Sequence, residues 1–203
     1  MSDIIKSRNK DQKGLMKEFD AVVSDTNRFF AESILSPLTI TLGDEFQGIV
    51  NSLEEALSII INIEETLIHK NMSFKLRYVL NEGDIDTPIN KNIAYGMLGT
   101  GLTYARETLN LMKKNDHRFF VSAKNERLSN ILNFSFVIFE SIVDRWDYER
   151  DYPLVSAFLS SDDYKDVANQ LNKNRSLMWK REKSLNIEEY RAIKAIIKSV
   201  NLL

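Results

Sequence analysis

Thr39-Ile40-Thr41-Leu42-Gly43-Asp44-Glu45-Phe46-Gln47-Gly48-Ile49-Val50 reads as two apolar arms around an acidic tip. Thr39 to Leu42 is β-branched and apolar, the composition of a buried strand. Gly43 is a turn residue free to adopt positive φ. Phe46 to Val50 returns as the second arm, so the spacing predicts a hairpin with Asp44 and Glu45 at its tip. Carboxylates at a strand end suit a hard divalent cation, because Mg²⁺ takes one or two protein oxygens and fills its shell with phosphates and water. The same pattern also serves as a plain solvated acidic turn.

Upstream, Leu15, Met16, Phe19, Val22, Val23, Thr26, Phe29 and Phe30 recur at helical spacing and predict a helix over 10–35 that Pro37 ends. Met1 to Ser7 reads as the tail of a strand that lacks its N-terminal half, or as the turn after one. Downstream, Ser52 with Glu55 three residues on forms a capping box, opening a helix to about Lys70. Phe74 to Leu80 alternates as a half-buried strand. Gly96, Gly99 and Gly101 make residues 89–102 the least regular stretch, where backbone N–H groups of Gly99 and Gly101 can approach a phosphate. A helix from Tyr104, a strand around Phe119-Phe120-Val121 and helices over 127–132 and 136–146 complete a first domain, 1–148. This order predicts an α+β fold: an antiparallel or mixed sheet with helices packed on one face.

Asp147 to Pro153 is charged and turn-like and marks the boundary to a small all-helical domain, 149–203. Ser161 caps its first helix. Asn172-Lys173-Asn174 makes a tight turn, since Asn tolerates the left-handed conformation. Helices over 175–185 and 187–200 follow, the last with Tyr190, Ile193, Ile197 and Val200 on one face. The middle helix is basic, and a short turn before a basic helix is the pattern of a helix-turn-helix. Its candidate DNA contacts are Arg175, Ser176, Trp179, Lys180 and Lys183; the alternative is a helical cap with a solvated basic face. Arg181 stands where such motifs often keep an apolar residue. Trp146 and Trp179 read as packing residues rather than base-stacking platforms.

Composition bounds the rest. The net charge of −2 gives no global attraction to nucleic acid, but it is uneven: residues 150–203 hold ten Lys/Arg against seven Asp/Glu, and residues 1–149 hold seventeen against twenty-two. Cysteine is absent, which excludes a disulfide frame, a thiol nucleophile and Cys-ligated zinc. With only His69 and His117, a His-rich metal site or a Ser-His-Asp triad is not expected. No apolar run has transmembrane length and no signal peptide is recognisable, so the chain reads as cytoplasmic with no membrane partner.

Asp3-Ile4-Ile5-Lys6-Ser7-Arg8, Ile40 to Gly48, Arg77 to Ile85 and Ala105-Arg106-Glu107 resemble the SatD family, over nearly the whole chain. The layout is also similar to the ferredoxin-like palm of class III nucleotide cyclases and GGDEF diguanylate cyclases. That resemblance implies Mg²⁺ or Mn²⁺ on a nucleoside triphosphate, with Asp3 and Asp44 as metal ligands and Glu45 beside them. It also implies the transition-state arginine at Arg106, for which a surface salt bridge is the alternative to a phosphate contact. Cyclases carry an asparagine four residues before that arginine. Here the position is Leu102, and Thr103 substitutes only with a shift of register. Ser2 stands where the family has glycine.

No catalytic residue is assigned. The reading is a regulatory protein, with a nucleotide- or metal-binding palm coupled to a DNA-binding segment. The alternative is a Mg²⁺-dependent nucleotidyl cyclase or related phosphoryl-transfer enzyme using Asp3 and Asp44. A third use of the fold is as a homodimer, with Phe134, Phe136 and Phe139 as partner contacts beside their use in the core.

Overall fold

The structure, a computed structural model, describes residues 1–5, 12–114 and 117–199. Among these the chain forms β1 (Ser2–Ile4), α1 (Gln12–Phe29), β2 (Ile34–Ile40), β3 (Glu45–Val50), α2 (Leu53–His69), β4 (Leu76–Asn81), α3 (Thr100–Met112), β5 (Phe119–Ser122) and α4 (Glu126–Val143). Helices α5 (Tyr152–Leu159), α6 (Tyr164–Gln170), α7 (Arg175–Ser184) and α8 (Ile187–Lys198) follow. The start of the first predicted helix, the 6–8 end of the first quoted motif and Val200 lie outside the described residues.

One open sheet has the order β2-β3-β1-β4-β5. Its first four strands are antiparallel neighbours, and β5 joins β4 in parallel. The fold is α+β, as the element order predicts. Gly43 turns the β2–β3 hairpin at φ +82. β2 begins at Ile34 rather than Thr39, and Pro37 lies inside it instead of ending the helix, which stops at Phe29. An edge strand accommodates a proline where its ladder is irregular, and the β2–β3 register shifts on both sides of Ser36.

Helices cover both faces of the sheet, not one. Ile4, Phe46, Leu76 and Tyr78 face α1, α2 and α4 in the main core, where Phe19 lies 5.9 Å from Phe46 and 6.3 Å from Phe74. Val79 points the other way, onto Ala105, Leu109 and Met112 of α3. β4 is therefore buried on both faces rather than half-buried. α4 runs unbroken over the stretch whose periodicity predicts two helices. Its mid-helix Asn133 is used by the edge strand: Nδ2 donates to Val121 O (2.8 Å) and Oδ1 accepts from Val121 N (2.9 Å).

The C-terminal helices share the main core. Trp146 donates to Leu185 O (2.9 Å) and packs on Tyr190, whose ring also meets Phe139. Pro153, which marks a turn in the sequence, instead occupies the first turn of α5 and so starts that helix. Asp163, not Ser161, caps α6. Asn172 and Asn186 take the left-handed conformation at the following turns.

Candidate functional site

The β-ladder itself builds a polar row across the sheet. Asp3 on β1 is the register partner of Glu45 on β3 and of Arg77 on β4. Directly opposite residues point to one face, about 5 Å apart at Cα. Thr41, whose amide donates to Glu45 O (2.9 Å), extends the row toward β2. The face is the one that α3 covers. Arg106 on α3 and Lys113 at its C-terminal cap reach it from one side of the helix, seven residues apart.

Arg77 Nη1 donates to both oxygens of Asp3 at 3.0 Å. Lys113 Nζ lies 2.5 Å from Glu45 Oε1 and 3.8 Å from Asp3 Oδ2. Arg106 pairs with Glu45 Oε2 and reaches Gln47 Oε1 at 3.4 Å. Asp3, Glu45 and Arg77 are buried, whereas the side chains of Arg106 and Lys113 are 30 % and 37 % exposed. The cluster thus sets three cations on two carboxylates, with two of the cations reaching in from solvent. Arg77 Nε and Thr41 Oγ1 are buried without a hydrogen-bond partner among the described residues.

Burial raises the Asp3 carboxyl above the ordinary range, and Arg77 and Lys113 offset that only in part. Burial acts on Glu45 in the same sense, but its hydrogen bonds from Lys113 and Arg106 outweigh it and leave the carboxyl below the ordinary range. Asp44 sits beside them in the hairpin turn, with its backbone oxygen accepting from Ile4 N (2.8 Å). Among the described residues no three acidic or imidazole side chains converge on one point. A divalent cation entering here has to displace Arg77 and Lys113 from the carboxylates.

The predicted nucleotide residues fall into two groups. Arg106 joins the ionic cluster. Gly99, Gly101 and Thr103 lie at the start of α3, about 18 Å along the helix from Lys113. A Cβ on Gly99 would meet Asp84 O at 2.4 Å, and one on Gly101 would meet Gly83 Cα at 2.8 Å. Those glycines let the β4–α3 connection double back on itself. The amide of Gly101 donates to Asp84 O and those of Leu102 and Thr103 to Gly99 O. Gly101 also lines a cavity of about 260 Å³ with Asn51, Ser52, Asn81, Leu102 and Lys124.

In the C-terminal segment, α7 turns Arg175, Ser176, Trp179, Lys180 and Lys183 outward, while Met178 and Glu182 are buried. Trp179 is 47 % exposed, so it is not the packing residue that its spacing predicts; Trp146, at 3 %, is. Lys183 pairs with Glu188 (2.5 Å). Arg181 points inward and anchors the helix on buried Asp151 (2.7 Å). Hydrogen bonds from Arg150, then from the Asp147 amide and Arg181, hold the Asp151 carboxyl down at about 2 against its burial.

The sequence matches the SatD family over residues 1–200. The chain belongs to the SatD family. No curated protein and no solved structure matches it. No helix of this SatD-family chain, among the described residues, is long and apolar enough to cross a membrane. Two members of its ionic cluster, Arg77 and Lys113, escape sequence reading. Lys75 and Arg77 alternate with Leu76 and Tyr78, which reads as a solvated strand face. Lys113 does carry a signal, its seven-residue spacing from Arg106 on a helix that faces two carboxylates.

Proposed function

We propose that this SatD-family chain is a regulatory protein in which a nucleotide-binding palm is joined to a DNA-binding helical segment. The observation that carries it is the outward face of α7. Arg175, Ser176, Trp179, Lys180 and Lys183 form one exposed stripe, with cations for phosphates and an aromatic that can meet a base or sugar. The four residues between α6 and α7 and the firm seat of Arg181 on Asp151 support a helix-turn-helix-like presentation. The order β2-β3-β1-β4, antiparallel throughout, supports the ferredoxin-like, cyclase-type reading of residues 1–148. The excess of cations around Asp3 and Glu45 supports an anionic, phosphate-bearing ligand there.

The palm is read as binding without turnover, because both carboxylates are engaged by protein cations. A metal-dependent phosphoryl-transfer reading keeps one observation, the placement of Asp3 opposite Glu45. Titration of ATP and GTP with and without Mg²⁺ or Mn²⁺, followed by product analysis, separates the two. Binding with no cyclic or linear product is expected. A metal-dependent product overturns the non-catalytic reading, and no binding at all removes the nucleotide.

A further inference from the structure

Helix α4 carries an apolar stripe on its outer side. Phe134, Val137 and Ile138 are 71 %, 50 % and 52 % exposed, while Phe136 and Phe139 are buried in the core. The outward positions follow a seven-residue repeat. Arg127, Phe134 and Ser141 form one line; Asn130, Val137 and Asp144 form a second, offset by three. Two such lines are the seam at which helices meet when they pair; here the central positions Phe134 and Val137 are apolar and the flanking four are polar or charged.

The seam complements itself when reversed. A two-fold axis crossing α4 between Ser135 and Phe136 sets Phe134 against the partner's Val137. It sets Asn130 against the partner's Ser141, and Arg127 against the partner's Asp144. Apolar meets apolar, neutral polar meets neutral polar, and cation meets anion. The amide of Asn130 can donate to or accept from the facing hydroxyl. In a parallel pair the same seam would set Arg127 against the partner's Arg127, like charge on like. The Arg127 side chain makes no hydrogen bond or ion pair among the described residues. Asp144 keeps 32 % of its side chain exposed although its Oδ1 holds Arg118 and Lys75.

We propose that this face of α4 is a homodimer contact, an antiparallel pairing of α4 with the same helix of a second copy. The helix of 18 residues is about 27 Å long. A strip of that length and about one helix wide covers on the order of 300 Å² on each copy, below the ~800 Å² per partner of a standard interface. The association is therefore weak and concentration-dependent. It stands independently of the nucleotide and DNA readings.

The absence of native cysteine makes the test clean. Full-length chain carrying Asn130→Cys and Ser141→Cys together is treated with a thiol cross-linker of short reach. Both positions are exposed, so neither substitution disturbs the core. Intermolecular dimer is expected from the double variant and not from either single one, because the same residue in two reversed copies lies about 16 Å from its twin. Adding Phe134→Glu or Arg127→Glu should each remove most of the cross-linked product, with circular dichroism and melting confirming that the variant is folded. Absence of dimer from the double variant overturns the proposal. So does equal cross-linking of the single variants, or product unaffected by both added substitutions in folded protein.

Discussion

Two of the buried ionic clusters among the described residues, those around Arg118 and around Asp3 and Glu45, are built differently. Around Arg118, whose side chain is 3 % exposed, every guanidinium nitrogen donates. Nε donates to Leu76 O (2.9 Å), Nη1 to Asp144 (2.6 Å) and Nη2 to both oxygens of Glu64 (2.7 and 2.6 Å). Tyr78 OH donates to the same Glu64 at 2.9 Å. This closed cluster bolts α2, β4 and the start of β5 to the end of α4. Around Asp3 and Glu45, by contrast, cations outnumber carboxylates, Arg106 and Lys113 are partly solvated, and Arg77 Nε is left without a partner among the described residues. Buried charge that is fully satisfied specifies structure; buried charge with an open rim can exchange partners.

The largest effect should come from the closed cluster. Arg118→Ala strands Glu64 in the core, and we expect a loss of about 3–5 kcal/mol in urea unfolding. A loss under about 1 kcal/mol would mean that the cluster is wetter than its geometry indicates. The open cluster should behave otherwise. Lys113→Met should change stability by no more than about 1 kcal/mol, since its ammonium is partly solvated. The same variant should weaken ATP or GTP binding about tenfold, the scale of one charge-assisted contact. Equal loss of stability at both sites would erase the distinction.

A smaller effect sharpens the comparison through pH. Asp151 is held at about 2, so its stabilising share is present above the ordinary carboxyl range and is lost as pH falls from there through about 2. Asp3 has the opposite sign. Its carboxyl is raised, chiefly by burial, so stability falls as pH rises from the ordinary value through the raised one. Unfolding free energies measured across the acid range should have a shallower low-pH slope in Asp151→Asn, with Glu45 among the groups that keep part of it. The opposing slope should weaken in Asp3→Asn, with Glu140, also raised by burial, keeping a part of it.

How much of this is legible in the sequence follows from the range of the interactions. The turn at Gly43, the Ser52 cap and the left-handed Asn172 are local devices and stand where the sequence places them, whereas Glu45, expected at the hairpin tip, is a buried residue of β3. Pro37 misleads because only the neighbouring strand reveals that β2 is an irregular edge. The one-sided helix layer fails because Val79 looks like any alternating strand residue until α3 lies on it. Asp3 and Glu45 are legible as carboxylates, but their cations come from β4 and from α3 and its cap, far along the chain. Glu64 does carry a signal: it sits one turn beyond Ile60 on the apolar face of α2, where a charge needs a buried partner.

The most direct test of the regulatory reading is a titration of full-length chain with duplex DNA at several salt concentrations, alongside Arg175→Glu and Lys180→Glu. The account predicts affinity that falls steeply as salt rises, with each variant weaker and with a shallower salt slope. DNA binding that is absent at low salt, or unchanged by both substitutions, would contradict it.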